Sequence, residues 1–462
     1  MNISNINREL VFLFISTFFV RVGFGASLIL FDWTMVWGVE HSYGYENASS
    51  ASAILLTTFA GITFLIAEVI FTGYYGNRSD SIGAKPVLFF ATIGSAFALL
   101  SYAPSPFFYS YFQDHVNLAI LMLVLYMAIT HFLHGVFAAA VVSPGLGFVN
   151  FLSTAQNRTY NMAWYNNAIL YGRAAGMTLG GLLWIWFGVD HVGLTISEQA
   201  WRIFWTFPVL FVILLLAAII VYFGLTNSIK HSEPKPFSIK NDMLIAFQVM
   251  MEPVRRPLLL PWLSIAALVG SASLWGPSVA FRASEHAGDE RGLAALLPIT
   301  LIVVALALPA PFWGWYADHK GRKQTLQIGI LGLPVLFGGV FLVYPLLGDD
   351  VSLSNPILLM GMLPGLMLLS ALVPVLMGKL GDTASDTANE HGHVMSGYHF
   401  AIASGEIFGM VFGGLFISLF SGLYQLGLFA NQGNALIVGF LIFEVALIIS
   451  TIVGILRLPS DN

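Results

Sequence analysis

The sequence predicts an all-α membrane protein with twelve transmembrane helices in two pseudo-symmetric six-helix bundles, and three observations lead there. The 462-residue chain is 57% hydrophobic and 9% charged, with a mean hydropathy of +0.80. Soluble domains carry about 25% charged residues. This chain cannot cover a water-facing surface, so its apolar excess is expected to face lipid. The apolar residues also gather into stretches of roughly 20, the length that crosses the hydrocarbon core. Finally, the two halves of the chain repeat one another.

Taken in order, the predicted spans are 10–37, 52–75, 86–104, 117–142, 161–188, 202–225, 257–281, 293–316, 324–346, 356–378, 394–420 and 435–457. Before the first lies a short polar segment, Met1 to Glu9. The long apolar run after it has no small-residue cleavage site, which predicts a retained span and not a signal peptide. The one long polar connection, Thr226 to Pro257, separates spans six and seven. It divides the chain into an N-terminal half (1–225), a linker (226–256) and a C-terminal half (257–462).

Basic residues set the orientation. Arg8, Arg78, Lys85, Arg158, Lys230, Lys235, Lys240, Arg255, Arg256, Lys320, Arg322, Lys323, Lys379 and Arg457 fall at one set of span ends; the other set holds Arg202, Arg282 and Arg291. The positive-inside rule then predicts cytoplasmic termini and a cytoplasmic linker. Short loops point to the plasma (inner) membrane of a prokaryote, with a monomer surrounded by lipid as the expected state. The net charge of −5 offers no basic patch for nucleic acid. The lack of cysteine excludes disulfides and thiolate chemistry. No metal site or cofactor is expected.

The repeat is clearest in spans five and eleven. Met162, Tyr165, Ala168, Ile169, Gly172, Gly176, Met177, Gly180, Gly181 and Leu182 match Met395, Tyr398, Ala401, Ile402, Gly405, Gly409, Met410, Gly413, Gly414 and Leu415 at identical spacing. Small residues every four positions recur in packed membrane helices, but that does not account for the shared Met, Tyr, Ala and Ile, for which duplication is the better reading. Internal repeats of this kind mark secondary transporters, with the solute site near the midplane. There is no phosphate-binding loop, nucleophile elbow or zincin helix, so an enzyme is not expected.

The segment after span eight, Gly314-Trp-Tyr-Ala-Asp318-His-Lys-Gly321-Arg322-Lys323, resembles the signature of the major facilitator superfamily. The resemblance implies a charge cluster that latches the cytoplasmic side closed, carried here by Gly314, Asp318, Gly321 and Arg322. A carboxylate near a helix N-terminus and beside guanidinium is physically favoured. The first-half copy is read from Gly73, with Asn77 at the aspartate position, extra residues before Gly83, and Arg78 and Asp80 as the latch charges. Gly172 to Gly181 loosely resembles the family's fifth-helix antiporter motif, with Met177 where that motif has proline.

Charges at membrane depth are costly and face the interior or a cavity. Arg21 and Asp32 fall on one face of span one, with Gly25 between them. Arg173 and Glu406 each directly follow a matched glycine, at equivalent repeat positions and with opposite charge. Arg21, Arg173 and Asp32, with Tyr165, Asn166 and Tyr398, are the candidate solute-binding residues. Glu406 is the candidate proton carrier, because a carboxyl held out of water exchanges its proton nearer neutrality. His131 and His134, one turn apart on span four, are either a relay or a cross-helix hydrogen-bonded pair. Glu68 is assigned to the latch or the proton path. Glu444 is read as a packing residue. His391, His393, Asp382, Asp386 and Glu390 are read as a solvated loop.

The expected function is secondary active transport of a small organic solute by alternating access with proton coupling; the two arginines favour an anion. The alternatives are a multidrug-type proton antiporter (efflux), suggested by the 14% aromatic content, and a non-transporting membrane receptor or assembly factor on the same fold.

Overall fold

The computed structural model describes residues 7–43, 51–189, 193–226, 239–273, 297–343, 356–385, 390–428 and 432–460. Among them the chain is helical, with no strand. The N-terminal half contains α1 (Arg8–Tyr43), α2 (Ala51–Ile82), α3 (Ala84–Leu100), α4 (Ser105–Tyr111), α5 (Val116–Leu152), α6 (Arg158–Trp186) and α7 (Ile196–Gly224). The linker holds α8 (Ile239–Met251). The C-terminal half contains α9 (Arg256–Ser273), α10 (Leu297–Ala307), α11 (Ala310–Lys320), α12 (Arg322–Ile330), α13 (Gly332–Val343), α14 (Pro356–Leu369), α15 (Leu372–Ser385), α16 (His391–Gln425) and α17 (Gln432–Leu456).

Ten helical runs are long and apolar enough to cross a membrane, and Arg256–Ser271 and Leu441–Leu456 are shorter apolar helices. The predicted stretches 274–281, 293–296 and 344–346 lie outside the described residues, as do Lys230, Lys235, Arg282, Arg291 and Asp386. Several predicted spans are divided helices. Pro104 separates α3 from α4, and Pro309 separates α10 from α11, each at the N-cap of the following helix. Proline lacks the N–H that would continue the ladder but suits a first turn. Pro144, by contrast, lies inside an unbroken α5. The entry to α7 follows from its sequence: Thr195 and Glu198 form a reciprocal capping box.

The halves share their internal crossings. In the N-terminal half, α1 packs on α6; in the C-terminal half, α9 packs on α16. Gly172 meets Phe18 and Arg21, while Gly405 meets Leu263 and Ala266. Gly176 meets Val22 and Ala26, and Gly409 meets Ala267 and Ser271. In the reverse direction, Gly25 touches the backbone of Arg173 and Gly270 touches that of Glu406. A Cβ at Gly176 or Gly409 would collide with the facing main chain, so these crossings require glycine. Lipid tails supply no hydrophobic force between helices; close backbone packing does.

Between the halves, α2 packs on α16, and α6 packs on α10, α11 and α15. Helix α8 bridges both halves, lying on α2 and on α16. Its Val249 and Met250 cover Gly397, while Leu244 and Phe247 remain exposed. The linker is therefore partly structural. Its apolar residues from Met243 to Met251 were too short a run to register as a span. The end of the bundle that carries Arg8, Lys85, Arg158, Arg255, Lys320, Arg322 and Lys379 is termed the basic end below.

Candidate functional site

Two columns of residues face each other across the molecule. On α16, Gly392, His399 and Glu406 recur every seven positions; on α6 the equivalent residues are Thr159, Asn166 and Arg173. Seven residues are nearly two helical turns, so each column keeps one face and rises about 10 Å per step. The outer face of α6 carries Trp164, Ala175, Leu182 and Trp186, all exposed. Arg173 is also exposed, yet about half a turn away from that face. Its guanidinium thus opens towards the interior between the halves. Glu406, part-exposed, has the same relation to exposed Phe408, Leu415 and Leu419.

Arg21, Arg173, Glu68, Glu406, Tyr165 and Tyr398 lie within electrostatic range of one another. Arg21 is only 3% exposed. Its guanidinium lies over the Phe24 ring at 5.2 Å, and its Nε has no hydrogen-bond partner. Among the described residues it forms no ion pair, so a buried cation is left available to a ligand. Tyr398 packs edge-on against Trp262 at 4.6 Å. Tyr165 is wholly buried against Gly145 of α5, with no hydrogen bond to its hydroxyl. It fills the N-terminal core more than it lines the opening. Asn166 is buried. Asp32 is also buried but stands apart, with no hydrogen bond or ion pair to the described residues.

His131 and His134 occupy an aromatic cage inside the N-terminal half. The Tyr102 hydroxyl hydrogen-bonds to Nδ1 of His131 and lies 3.4 Å from Nδ1 of His134. Phe31 stacks on His131 at 4.3 Å, and Phe24 meets His134 edge-on at 4.4 Å. One tyrosine thus reaches both histidines from a neighbouring segment. Glu68 has a partner the sequence reading did not single out: its Oε1 is 3.0 Å from Nε2 of His399, across the α2–α16 seam. The signal was present, since His399 falls seven residues before Glu406. Glu444 accepts a hydrogen bond from Ser271.

At the basic end each half caps a helix of the other. Asp318 accepts hydrogen bonds from the backbone N–H groups of Thr159 (3.1 Å) and Tyr160 (2.9 Å), at the start of α6. Asp80 accepts from Gly392 and His393, both at 2.8 Å, at the start of α16. A carboxylate there satisfies orphan donors and meets the positive end of the helix dipole.

These contacts correct the register of the first-half motif. Gly76, not Gly73, lies against Gly392, as Gly314 lies against Thr159 and Tyr160. Gly83 (φ 93°) matches Gly321 (φ 100°), each turning the chain through a conformation that favours glycine. Asp80 is therefore the direct counterpart of Asp318, and no residues are inserted before Gly83. Gly73 is an interior residue of α2, one turn too early. What the first copy lacks is the arginine: Ala84 corresponds to Arg322. Arg78 forms no hydrogen bond or ion pair through its guanidinium among the described residues.

Arg322 donates to Thr159 Oγ1 (2.9 Å), pairs with Asp318 (3.2 Å) and pairs with Asp382. Arg158, from the other half, pairs with the same Asp382. Asn150 of α5 lies 2.8 Å from His391 and donates to the Gly381 carbonyl at 3.3 Å. His391 and His393 thus begin α16 and Asp382 belongs to α15, which overturns the solvated-loop reading for all three. That reading failed because it used sequence neighbours, whereas the partners come from the opposite half.

Fold and site together define a two-half helical membrane transporter. The family model of the Major Facilitator Superfamily matches residues 13–380, and the chain belongs to that superfamily. No curated protein matches the sequence significantly. Among solved structures, the human organic anion transporter MFSD10 (TETRAN) aligns with a TM-score of 0.63 at 14% identity, covering 97% of this chain and 99% of that one. The proton:xylose symporter XylE bound to 6-bromo-6-deoxy-D-glucose gives 0.63 at 14% identity, over 96% and 94%. A bacterial homologue of the iron transporter ferroportin, outward-facing, gives 0.58 at 12% identity, over 98% and 99%. At these identities the likeness concerns the fold alone.

Proposed function

We propose that this protein is a proton-coupled secondary transporter of a small organic anion, working by alternating access of its two halves. The observation that carries the reading is the opposed pair at equivalent repeat positions: Arg173 on α6 and Glu406 on α16 both open to the interior, with the unpaired Arg21 beside them. Arg21 and Arg173 bind the anion, and Glu406 takes up and releases the proton. A mobile ligand and a mobile proton give each charge a partner in every state, which offsets the cost of keeping it at membrane depth.

In this reading α9 and α17 complete a set of twelve spans. The basic end faces the cytoplasm of a prokaryotic cell, with both termini on that side, and the protein acts as a monomer in the inner membrane. The Asp80 and Asp318 caps and the Arg158–Asp382–Arg322 network latch the cytoplasmic side shut, so the state described is the one closed at that face.

Proteoliposomes challenged with pools of organic anions, cations and neutral solutes test the reading. Alkalinisation outside on addition of the anion pool is expected for the wild type and absent for Glu406→Gln. Unchanged proton movement by Glu406→Gln would remove Glu406 from the mechanism. Proton movement opposite to a cationic or neutral amphipath would replace the proposal with an efflux antiporter, and silence to every pool would overturn coupling altogether.

A further inference from the structure

Among the described residues, Glu68 and His399 form the one titratable pair that joins the halves away from the basic-end network. Their side chains are 7% and 5% exposed, and Nδ1 of His399 has no hydrogen-bond partner. His399 lies midway along the α16 column, about 10 Å from Gly392 below and from Glu406 above. Glu68 is within electrostatic range of Glu406 and of Arg21. At the foot of the column an open pocket lined by Asn77, Gln248, Glu252, Glu390 and His393 reaches the basic end.

The other seam lacks this chemistry. In the register set by Asp80 and Asp318, Leu306 of α10 corresponds to Glu68, and Asn166 of α6 to His399. The pair is therefore an addition to the shared frame and not part of it. Of the elements packed on α2, α1 contributes Arg21 and α16 contributes Glu406, both within electrostatic range of Glu68, while His131 and His134 of α5 are held in the cage around Tyr102. Helices α3 and α8 bring Lys85 and Glu252, but only near the basic end.

We propose that Glu68 and His399 are the station through which the coupled proton passes between Glu406 and the basic end, and that its occupancy controls the α2–α16 seam. With His399 as the imidazolium, its Nε2–H donates to the Glu68 carboxylate, and this ion pair holds the seam. When the Glu406 carboxyl gives up its proton and that proton reaches Glu68 through water in the opening, Glu406 is left as a carboxylate able to pair with Arg173. Glu68 becomes a neutral acid, the ion pair is lost, and the seam opens. Release of that proton to the pocket restores the pair.

The proposal rests on the proton-coupled reading above, but its test needs no solute. The chain has no cysteine, so Gln156→Cys with Arg457→Cys places a spin label on each half at exposed positions without background. Inter-half distances are then measured over about pH 5 to 8, where histidine titrates. The wild type is expected to switch between two distributions, with Glu68→Gln held in one of them. Glu68→Asp should switch again, and His399→Gln should move the midpoint. Should Glu68→Gln not fold, the Glu68→Asp and His399→Gln titrations decide. A wild type indifferent to pH, or a Glu68→Gln or His399→Gln variant that titrates as wild type, overturns the proposal. If only this proposal fails, wild-type proteoliposomes still couple and Glu68→Gln couples equally well; if coupling itself fails, the wild type moves solute without protons.

Discussion

Helices α6 and α16 occupy the same place in the two halves, cross the same partner through the same glycines, and have their first turns capped by equivalent aspartates. They differ in what they hold up to the interior. The α6 column offers Thr159, Asn166 and Arg173, with a positive charge; the α16 column offers Gly392, His399 and Glu406, with an imidazole and a carboxyl. The frame occurs twice, and divergence at the remaining positions gave the two columns opposite charge, the difference on which the proposed division between anion and proton rests.

The frame is where the largest effects are expected. Gly176→Leu and Gly409→Leu force a side chain into facing backbone, and overpacking costs about 1–3 kcal/mol or more. Both should lose most folded protein, read as monodisperse yield and Tm in detergent. Survival of either would mean that the shared crossings tolerate more slack than their geometry allows.

Next come the columns themselves. A hydrogen bond to a charged group contributes about 1.5–3 kcal/mol, so Arg173→Gln should weaken solute binding roughly ten- to hundredfold. Glu406→Gln should leave affinity within a fewfold while abolishing proton-driven accumulation. Calorimetry alongside proton flux separates the two, and equal effects on binding would erase the division of labour.

The caps should give smaller, unequal effects. An N-cap contributes about 0.5–2 kcal/mol, and Asp318 also holds Arg322. Asp318→Asn is therefore expected to open the basic end more than Asp80→Asn, measured by labelling of introduced cysteines. The smallest effect belongs to Ala84→Arg, which supplies the first half with the arginine it lacks. Ala84 is buried, so desolvation of the new guanidinium offsets most of what pairing with Asp80 contributes, leaving a modest shift towards the closed basic end in the same assay.

Much of this was legible in the sequence because it depends on local pattern. Apolar runs located most of the helices, and the matched Met, Tyr, Ala, Ile and Gly positions identified the repeat and placed Arg173 opposite Glu406. The motif around Asp318 was found for the same reason. What escaped depended on residues brought together from distant segments. His399 looked ordinary until Glu68 was seen beside it, and Arg158, Asn150 and Asp382 acquire roles only through contacts across the halves. The first-half motif was misaligned by three residues because the register was started from Gly73, although Gly76, Asp80 and Gly83 repeat the spacing of Gly314, Asp318 and Gly321. The contact of Gly76 with Gly392 supports the same register.

The glycine crossings have a mechanical consequence. Where α1 lies on α6 and α9 on α16, main chain rests on main chain, and no side chain is available to change rotamer and let one helix slide along the other. Each pair behaves as a stiff beam. Any large displacement is left to the seams between the halves, where the close approaches of Gly76 to Gly392 and of Gly314 to Thr159 and Tyr160 lie at the basic end, so the two beams tilt against each other as whole bodies instead of bending within themselves.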